Sequence, residues 1–371
     1  MRIHFIVRSL QQDGAGAHQN ALSYVRYLKE CGHTVTVHAI TSFNNPPGDI
    51  ALIAHKKESL GFVAGNTFLT ESLHIYEKDA DIFFLYGVDF IWGAGAYRKS
   101  GGAVPTVVYL DRLLPSVGTN RSFGIMYYLK RLAWEKIFGM RNVPWIDAFI
   151  AVSPFIQEAY LASGFPEDKF HIIPNFFEFK ERRAMKKDGM TNTVLLLYVG
   201  RLTYDKGIDI LINAVKDIPP DISWHLRIVG DGPMKEECEN RVHKHALDTF
   251  VEITPWVDQA ELQKIYESAD IFIHASRYPE SFGRTFVEAM SHRLPVVASN
   301  IGAASWTVGA AGMFFQSGNV QELRGIVVTL MRDISLRQRL GTAGIKRAHA
   351  FQKDSIGPHL EEVLETIKTT I

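Results

Sequence analysis

The sequence predicts an α/β protein made of two doubly wound domains in series. Three observations carry this prediction. The 371 residues exceed one ordinary domain and suit two, each able to bury its own core. Short apolar strand-like runs alternate with helical patterns along the chain. That alternation opens with a β-loop-α-β unit at Ile3 and restarts with the same grammar at Val194.

The first domain, residues 1–178, begins with the apolar run Ile3 to Val7, a glycine-containing loop, DGAGAH from Asp13, and a helical pattern from Gln19 to Cys31. Gly32 closes that helix, and Thr34 to Ile40 forms the next strand. Further strands follow at Ile82 to Tyr86, Thr106 to Leu110, Ala148 to Val152 and His171 to Ile173. The charged stretch from Lys180, KERRAMKKDGMTN, reads as a linker with mostly solvated charges.

The second domain, residues 179–350, takes its strands from Val194 to Val199, Leu226 to Val229, Phe250 to Ile253, Ile271 to His274 and Pro295 to Ala298. Helices are expected at Ile208 to Lys216, Met234 to Leu247, Asp258 to Glu267 and Phe286 to Ser291. Sheet edges facing each other across a cleft are the simplest arrangement of two such domains. A last helix, Gly357 to Lys368, lies in the terminal segment 351–371.

Composition narrows the class. Hydrophobic residues make up 46% and charged residues 22%, and 40 basic side chains balance 40 acidic ones, so nucleic acid is not an expected partner. Cys31 and Cys238 stand far apart outside any metal-ligand spacing, which points to a reducing compartment without structural zinc. Met1 to Val7 reads as a strand followed by an arginine, not as a signal peptide, so a cytoplasmic location is expected. The uncharged stretch Leu294 to Gln321 contains Pro295, Asn300, Asn319 and four glycines, and reads as strand, loop and strand rather than a membrane span.

Two stretches carry chemistry. In GRLTYDKG from Gly200 a strand ends, a tight turn follows and a helix begins near Ile208. Backbone amides, a helix start and the cations Arg201 and Lys206 can converge there on one anion such as a diphosphate. A surface turn with two solvated cations fits the local sequence equally well. In PESFGRTFVEAM from Pro279, Gly283 opens a helix that places Glu280 before its start and Glu288 about a turn and a half inside. Carboxylates at these places can accept sugar and ribose hydroxyls. Alone, the stretch also fits an acid stabilising the helix dipole and an exposed helix glutamate.

Together, GRLTYDKGIDILINAV, IVGDGP from Ile228, the strand IFIHAS, PESFGRTFVEAM and LPVVAS closely resemble family 4 of the retaining glycosyltransferases. The first domain resembles it more thinly, through the loop after strand one, AVS at Ala151 and IPN at Ile173. The resemblance implies the GT-B architecture of two Rossmann-like domains, with the last helix crossing back to an acceptor-binding N-terminal domain. It implies that Arg201 and Lys206 bind the diphosphate and that Glu280 holds donor-sugar hydroxyls. It also implies that the donor is lined by Gly230, Val257, Ser281, Phe282, Gly283, Arg284, Thr285 and Glu288, the last holding the ribose. No cofactor or metal is then required, because fixed cations and a helix end offset the departing charge.

The residues agree with that absence of metal. Asp79 and Asp81 precede a strand on the side away from the expected site. His243 and His245 are two apart on a helix and point to different faces.

Departures from the family pattern bear on the acceptor and donor. Asp111, in VVYLDRLLP, stands at the end of the fourth strand, where the family commonly has a histidine. It can orient a sugar or acceptor hydroxyl, or cap the loop. Gly14 and Gly16 replace an adjacent glycine pair and still permit close backbone approach. Near Ile301, Gly302 and Ala303 stand for another glycine pair, and Trp306 falls where an acid is common.

The stretch 121–141 carries five cations and one acid, Glu135, interleaved with Phe123, Tyr127, Tyr128, Trp134 and Phe138. It reads as a basic aromatic helix resting on an anionic membrane, or as a helix whose aromatics line a core or protein interface. The expected function is transfer of a hexose from a nucleoside-diphosphate sugar, UDP-sugar favoured and GDP-mannose next, to a glycan or lipid-linked acceptor in cell-surface polysaccharide synthesis. The alternatives are a nicotinamide-dependent oxidoreductase and a non-catalytic two-lobed sugar-binding protein. Against the first, the loop lacks the third glycine of GxGxxG, and the second strand ends without an acid. Against the second, no export signal is visible.

Overall fold

A computed structural model describes residues 1–11, 16–40, 43–44, 48–55, 62–114, 139–179 and 193–369. The chain divides into two compact units, Met1–Phe177 together with Lys353–Ile371, and Glu178–Gln352.

The first unit is built on a seven-stranded parallel sheet. Its strands are β1 (Arg2–Val7), β2 (Thr34–Ala39), β3 (Ala51–Ala54), β4 (Ile82–Tyr86), β5 (Thr106–Leu110), β6 (Ala148–Ala151) and β7 (Phe170–Ile172), in the order β3-β2-β1-β4-β5-β6-β7. Every residue of β4 and β5 is buried, which explains why both read as unbroken apolar runs. The register pairs Val7 with Tyr86, and Tyr86 with Tyr109. Helices α1 (Gly16–Glu30), α2 (Phe62–Tyr76), α3 (Ile91–Lys99) and α4 (Pro154–Leu161) belong to this unit.

One strand of this seven-stranded sheet was not expected. β3 is a four-residue edge strand, apolar throughout as ALIA but with every residue at least partly exposed, unlike its buried neighbours. Thr106 to Leu110 is therefore the fifth of these strands, not the fourth.

Three histidines form a row across one side of this sheet. His4 Nδ1 lies 2.9 Å from His38 Nε2, and His38 Nδ1 lies 3.1 Å from His55 Nε2. Their rings stack at 5.0 and 5.3 Å, with Tyr76 of α2 edge-on to His38 at 4.6 Å. Burial, reinforced by the two neighbouring imidazoles, pushes His38 down to about 3, and burial lowers His4 as well.

The second unit carries a six-stranded parallel sheet, β8 (Val194–Val199), β9 (Trp224–Val229), β10 (Val251–Thr254), β11 (Ile271–His274), β12 (Val296–Ser299) and β13 (Gly312–Phe315), in the order β10-β9-β8-β11-β12-β13. Its helices are α5 (Ile208–Val215), α6 (Lys235–Lys244), α7 (Gln259–Ser268), α8 (Arg284–Ser291), α9 (Ala304–Val308), α10 (Val320–Arg332) and α11 (Ile334–His349). The stretch expected as strand, loop and strand contains β12 and β13, with the short α9 inside the loop. The core joins Leu196 and Tyr198 of β8 and Leu226 and Ile228 of β9 to the apolar stripe of α5.

Helix α12 (Lys353–Thr369) groups with the first unit. There His33 Nε2 meets Glu361 Oε2 at 2.6 Å, and a Cβ on Gly357 would lie 2.3 Å from the Tyr27 ring. Gly14, the linker 180–192 and all but the last three residues of 121–141 lie outside the described residues. Among the described residues no helix is long and apolar enough to cross a membrane.

Each sheet reverses its strand order once, between β1 and β4 in the first unit and between β8 and β11 in the second. Open α/β sheets take ligands beyond the carboxyl ends of the strands at such points.

Candidate functional site

In the second unit the chain leaves β8 at Gly200, makes a short helical turn at Tyr204–Lys206, and enters α5 through Gly207. Gly207 has φ 64°, and a Cβ there would lie 1.9 Å from the Ala275 carbonyl oxygen, so only glycine lets the turn sit against the end of β11. The loop after β11 then holds the turn. The Asp205 carbonyl accepts the backbone N–H groups of Arg277 at 2.7 Å and Tyr278 at 3.1 Å, and the Ser276 hydroxyl at 3.1 Å.

A partly buried ion pair reinforces this contact. Arg277 donates to the two carboxylate oxygens of Asp209 at 2.6 and 2.7 Å, donates to the Tyr204 carbonyl at 3.0 Å, and lies 4.2 Å from the centre of the Tyr204 ring. Burial opposes ionisation of Asp209, but the bonds from Arg277 outweigh it and hold this carboxyl below its ordinary value.

Lys206 projects from the clamped turn to Glu280. Its ammonium bonds Glu280 Oε1, and His274 Nε2, at the end of β11, stands 3.3 Å from the same oxygen. All three side chains are largely covered, at 16% exposure for Lys206 and Glu280 and 5% for His274. Burial works against the charged form of Glu280. Lys206 and His274 more than offset it, leaving the carboxyl far below the usual carboxylate range. Among the described residues nothing engages Oε2, so the glutamate is fixed through one oxygen and open at the other. Its main chain is held as well, by a bridge to Gly302 and a 2.8 Å bond from the Ala303 N–H to the Glu280 carbonyl.

Three residues on, Gly283 precedes α8 at φ 84° without a side-chain cap, and its carbonyl accepts the Phe286 N–H at 3.0 Å. Phe282 is 3% exposed and packs on Phe351 at 5.1 Å, while its carbonyl accepts the Thr307 hydroxyl at 2.6 Å, so this stretch is anchored from below. Ser281, Arg284 and Thr285 are half-buried around the helix start. Glu288 is not an exposed helix glutamate. Its oxygens accept Arg284 Nε at 2.9 Å and the Tyr266 hydroxyl at 3.1 Å, and it is 16% exposed.

The remaining candidates are less closely joined. Arg201 is 64% exposed and lies 3.8 Å from the Asp205 carboxylate, a loose surface pair. Gly230 follows β9 and packs against the Gly200 carbonyl, where a Cβ would stand 1.9 Å away. Val257 follows β10 and is half-buried. Gly16 is the first residue of α1, and Asp111 directly follows β5, both in the first unit.

His274, Arg277 and Asp209 carried no role in the sequence reading. The signals for His274 and Asp209 were a histidine closing an apolar strand and an acid inside the largely apolar helix IDILINAV.

Residues 180–347 match the family model described as glycosyl transferases group 1, and residues 14–180 match the model described as glycosyltransferase family 4. The sulfoquinovosyl transferase SQD2 of Arabidopsis thaliana is 29% identical over 180 residues, covering 47% of this chain and 34% of that protein. The matched stretches span about half or less of the length of such curated relatives. Among solved structures, sucrose-phosphate synthase from Thermosynechococcus elongatus superposes with a TM-score of 0.79 at 20% identity, covering 100% of both chains. Anabaena HepE in complex with UDP gives 0.77 at 20% identity, covering 99% of this chain and 100% of that one. These structural likenesses show the fold, which is of the GT-B class.

Proposed function

The chain belongs to the family 4 glycosyltransferases, whose two models together span residues 14–347, and on that premise we propose that it transfers a hexose from a nucleoside-diphosphate sugar to a glycan or lipid-linked acceptor. A UDP-sugar is favoured and GDP-mannose is next. The proposal extends to retention of anomeric configuration, a role in cell-surface polysaccharide synthesis, and work at the inner face of a membrane. The UDP bound by the HepE neighbour supports the choice of donor base.

The observation that carries the reading is the asymmetric Glu280 carboxylate. Oε1 is occupied by Lys206 and His274, while Oε2 remains open to a sugar hydroxyl. Lys206 uses one of its three N–H groups on Glu280 and keeps two for a phosphate oxygen. In the proposal Lys206 and Arg201 take up charge on the departing nucleoside diphosphate, the backbone amides near Phe282 and Gly283 meet sugar and phosphate, and Glu288 adds a ribose hydroxyl to its bonds. Leaving-group stabilisation of this kind needs no metal, because Lys206 and the helix end are held in place before the bond breaks.

The test is release of a nucleoside diphosphate from a panel of nucleotide sugars. One member is expected to be turned over, and Lys206→Ala or Glu280→Ala to lower the rate by about 10²–10³. Release that survives both substitutions overturns the site. Repeating the assay with membrane lipid extract separates a lipid-linked acceptor from a soluble one.

A further inference from the structure

The main chain from Glu280 to Gly283 is gripped by one short segment, Gly302 to Thr307. Gly302 bridges Glu280, and the Ala303 N–H donates to the Glu280 carbonyl. The fully buried Thr307 donates its hydroxyl to the Phe282 carbonyl at 2.6 Å, and the Trp306 ring stands edge-on to that of Phe282 at 6.3 Å.

The bond to the Phe282 carbonyl has a directional effect. A peptide unit is planar and trans, so the Phe282 C=O and the Gly283 N–H point opposite ways in one plane. Fixing the carbonyl fixes the N–H. Among the described residues the Gly283 N–H has no acceptor, so the direction that Thr307 gives it stays free for a ligand atom.

The gripping segment is itself held. Helix α9 has five residues, too few to be stable alone. Arg347 of α11 fastens it, donating from Nη2 to the Trp306 carbonyl at 2.7 Å and from Nε to the Thr307 carbonyl at 3.1 Å. Carbonyls left over at a helix end take such donors. The guanidinium also lies 4.5 Å from the centre of the Phe351 ring and 5.4 Å from that of Trp306. Among the described residues no carboxylate pairs with Arg347, so what its charge grips is main chain and aromatic rings. Phe351 serves both ends of the series, because its ring packs on Phe282 as well.

We propose that Thr307 and Arg347 are positioning residues of this site, Thr307 aiming the Gly283 N–H and Arg347 holding Thr307 in place. That the aimed N–H meets donor sugar or phosphate rests on the glycosyl-transfer reading. Groups that stabilise charge by being fixed lose rate when they shift, and a displacement of about 1 Å can cost as much as 10²-fold.

The test is nucleoside-diphosphate release, with kcat and KM determined for the full chain carrying Thr307→Val, Thr307→Ser, Arg347→Met or Arg347→Lys. Thr307→Val keeps the shape and loses the donor. It is expected to lower kcat about tenfold while KM for the nucleotide sugar changes less than about twofold. Thr307→Ser keeps the hydroxyl and is expected to restore kcat to within about twofold. Arg347→Met is expected to lower kcat about fivefold, and Arg347→Lys, which keeps the charge without the fork, to fall between.

Unchanged kcat in Thr307→Val, or a Thr307→Ser chain as slow as Thr307→Val, overturns the proposal. Where thermal melting shows that one Thr307 variant does not fold, the Arg347 pair decides. Variants that lose melting temperature alone, or that all fail to fold, show a merely structural role and overturn it too. Lys206→Ala and Glu280→Ala run alongside. Loss of release in those two with none in Thr307→Val removes the positioning and leaves the donor reading standing. No release from any nucleotide sugar by the unsubstituted chain removes the donor reading, and the positioning with it.

Discussion

Arg277 and Asp209 are joined by two hydrogen bonds of 2.6 and 2.7 Å, and this pair determines where Lys206 stands. Asp209 lies in the first turn of α5, directly after the turn that carries Lys206, and Arg277 lies in the loop that leads from His274 to Glu280. The pair therefore braces both ends of the Lys206–Glu280 contact. Arg277→Ala is expected to cost about 2–3 kcal/mol in urea unfolding, under the roughly 3–5 kcal/mol of a fully buried pair, because the arginine keeps some exposure. Arg277→Lys, which retains charge but not the fork, should recover part of the stability while still raising KM for the nucleotide sugar.

Lys206→Ala leaves the Glu280 carboxylate covered with only His274 beside it. Glu280 is held below its ordinary value of 4.5, so its stabilising contribution is full above that pH and lost as pH falls through the lowered value. Removal of Lys206 should flatten this acid-side loss in stability measured between pH 5 and pH 2. Adding Glu280→Gln to the Lys206→Ala chain should restore part of the stability lost at neutral pH. An unchanged acid slope in Lys206→Ala would show that the pair carries no net charge coupling.

The histidine row makes a separate prediction for the first unit. His38 has a folded value of about 3 against an ordinary 6.5, so the folded state resists its protonation. Stability is then full above pH 6.5 and declines as pH falls toward 3, since the unfolded chain binds the extra proton. The groups facing the row are His4, His55 and Tyr76, with Asp79 and Arg2 acting on His4. His38→Gln, which keeps a donor and an acceptor, should reduce the slope between pH 6.5 and pH 4 in thermal melts.

Gly207→Ala should be among the most damaging single-methyl changes in the second unit. It forces a left-handed residue and a methyl against the Ala275 carbonyl, for a cost of at least about 1–3 kcal/mol. Because the turn must lift from β11, UDP affinity in isothermal titration should fall along with the melting temperature.

Much of this was legible in the sequence, and the limits were physical. Buried parallel strands such as Ile82–Tyr86, Thr106–Leu110, Val194–Val199 and Ile271–His274 announce themselves as apolar runs, and their bounds agree residue for residue. The edge strand Ala51–Ala54 is also an apolar run, but at four residues it is too short for periodicity to assign it to a strand. Lys206 and Glu280 were found as separate parts of two loops. That they share an oxygen with His274 depends on β8 and β11 being neighbours, a non-local pairing absent from any local pattern. Arg277 carried no role in the sequence, and only its partner Asp209, the second residue of α5, reveals it as a brace.

Helix α12 closes a unit whose other part ended at Phe177, with the whole of Glu178–Gln352 between. During synthesis the intervening unit is complete before the ribosome has delivered Glu361 to His33. The part made first must therefore wait, with the Tyr27 side of its surface uncovered, until residues 353–369 emerge. A stop codon shortly after residue 352 would spare the later-made unit and cripple the earlier one.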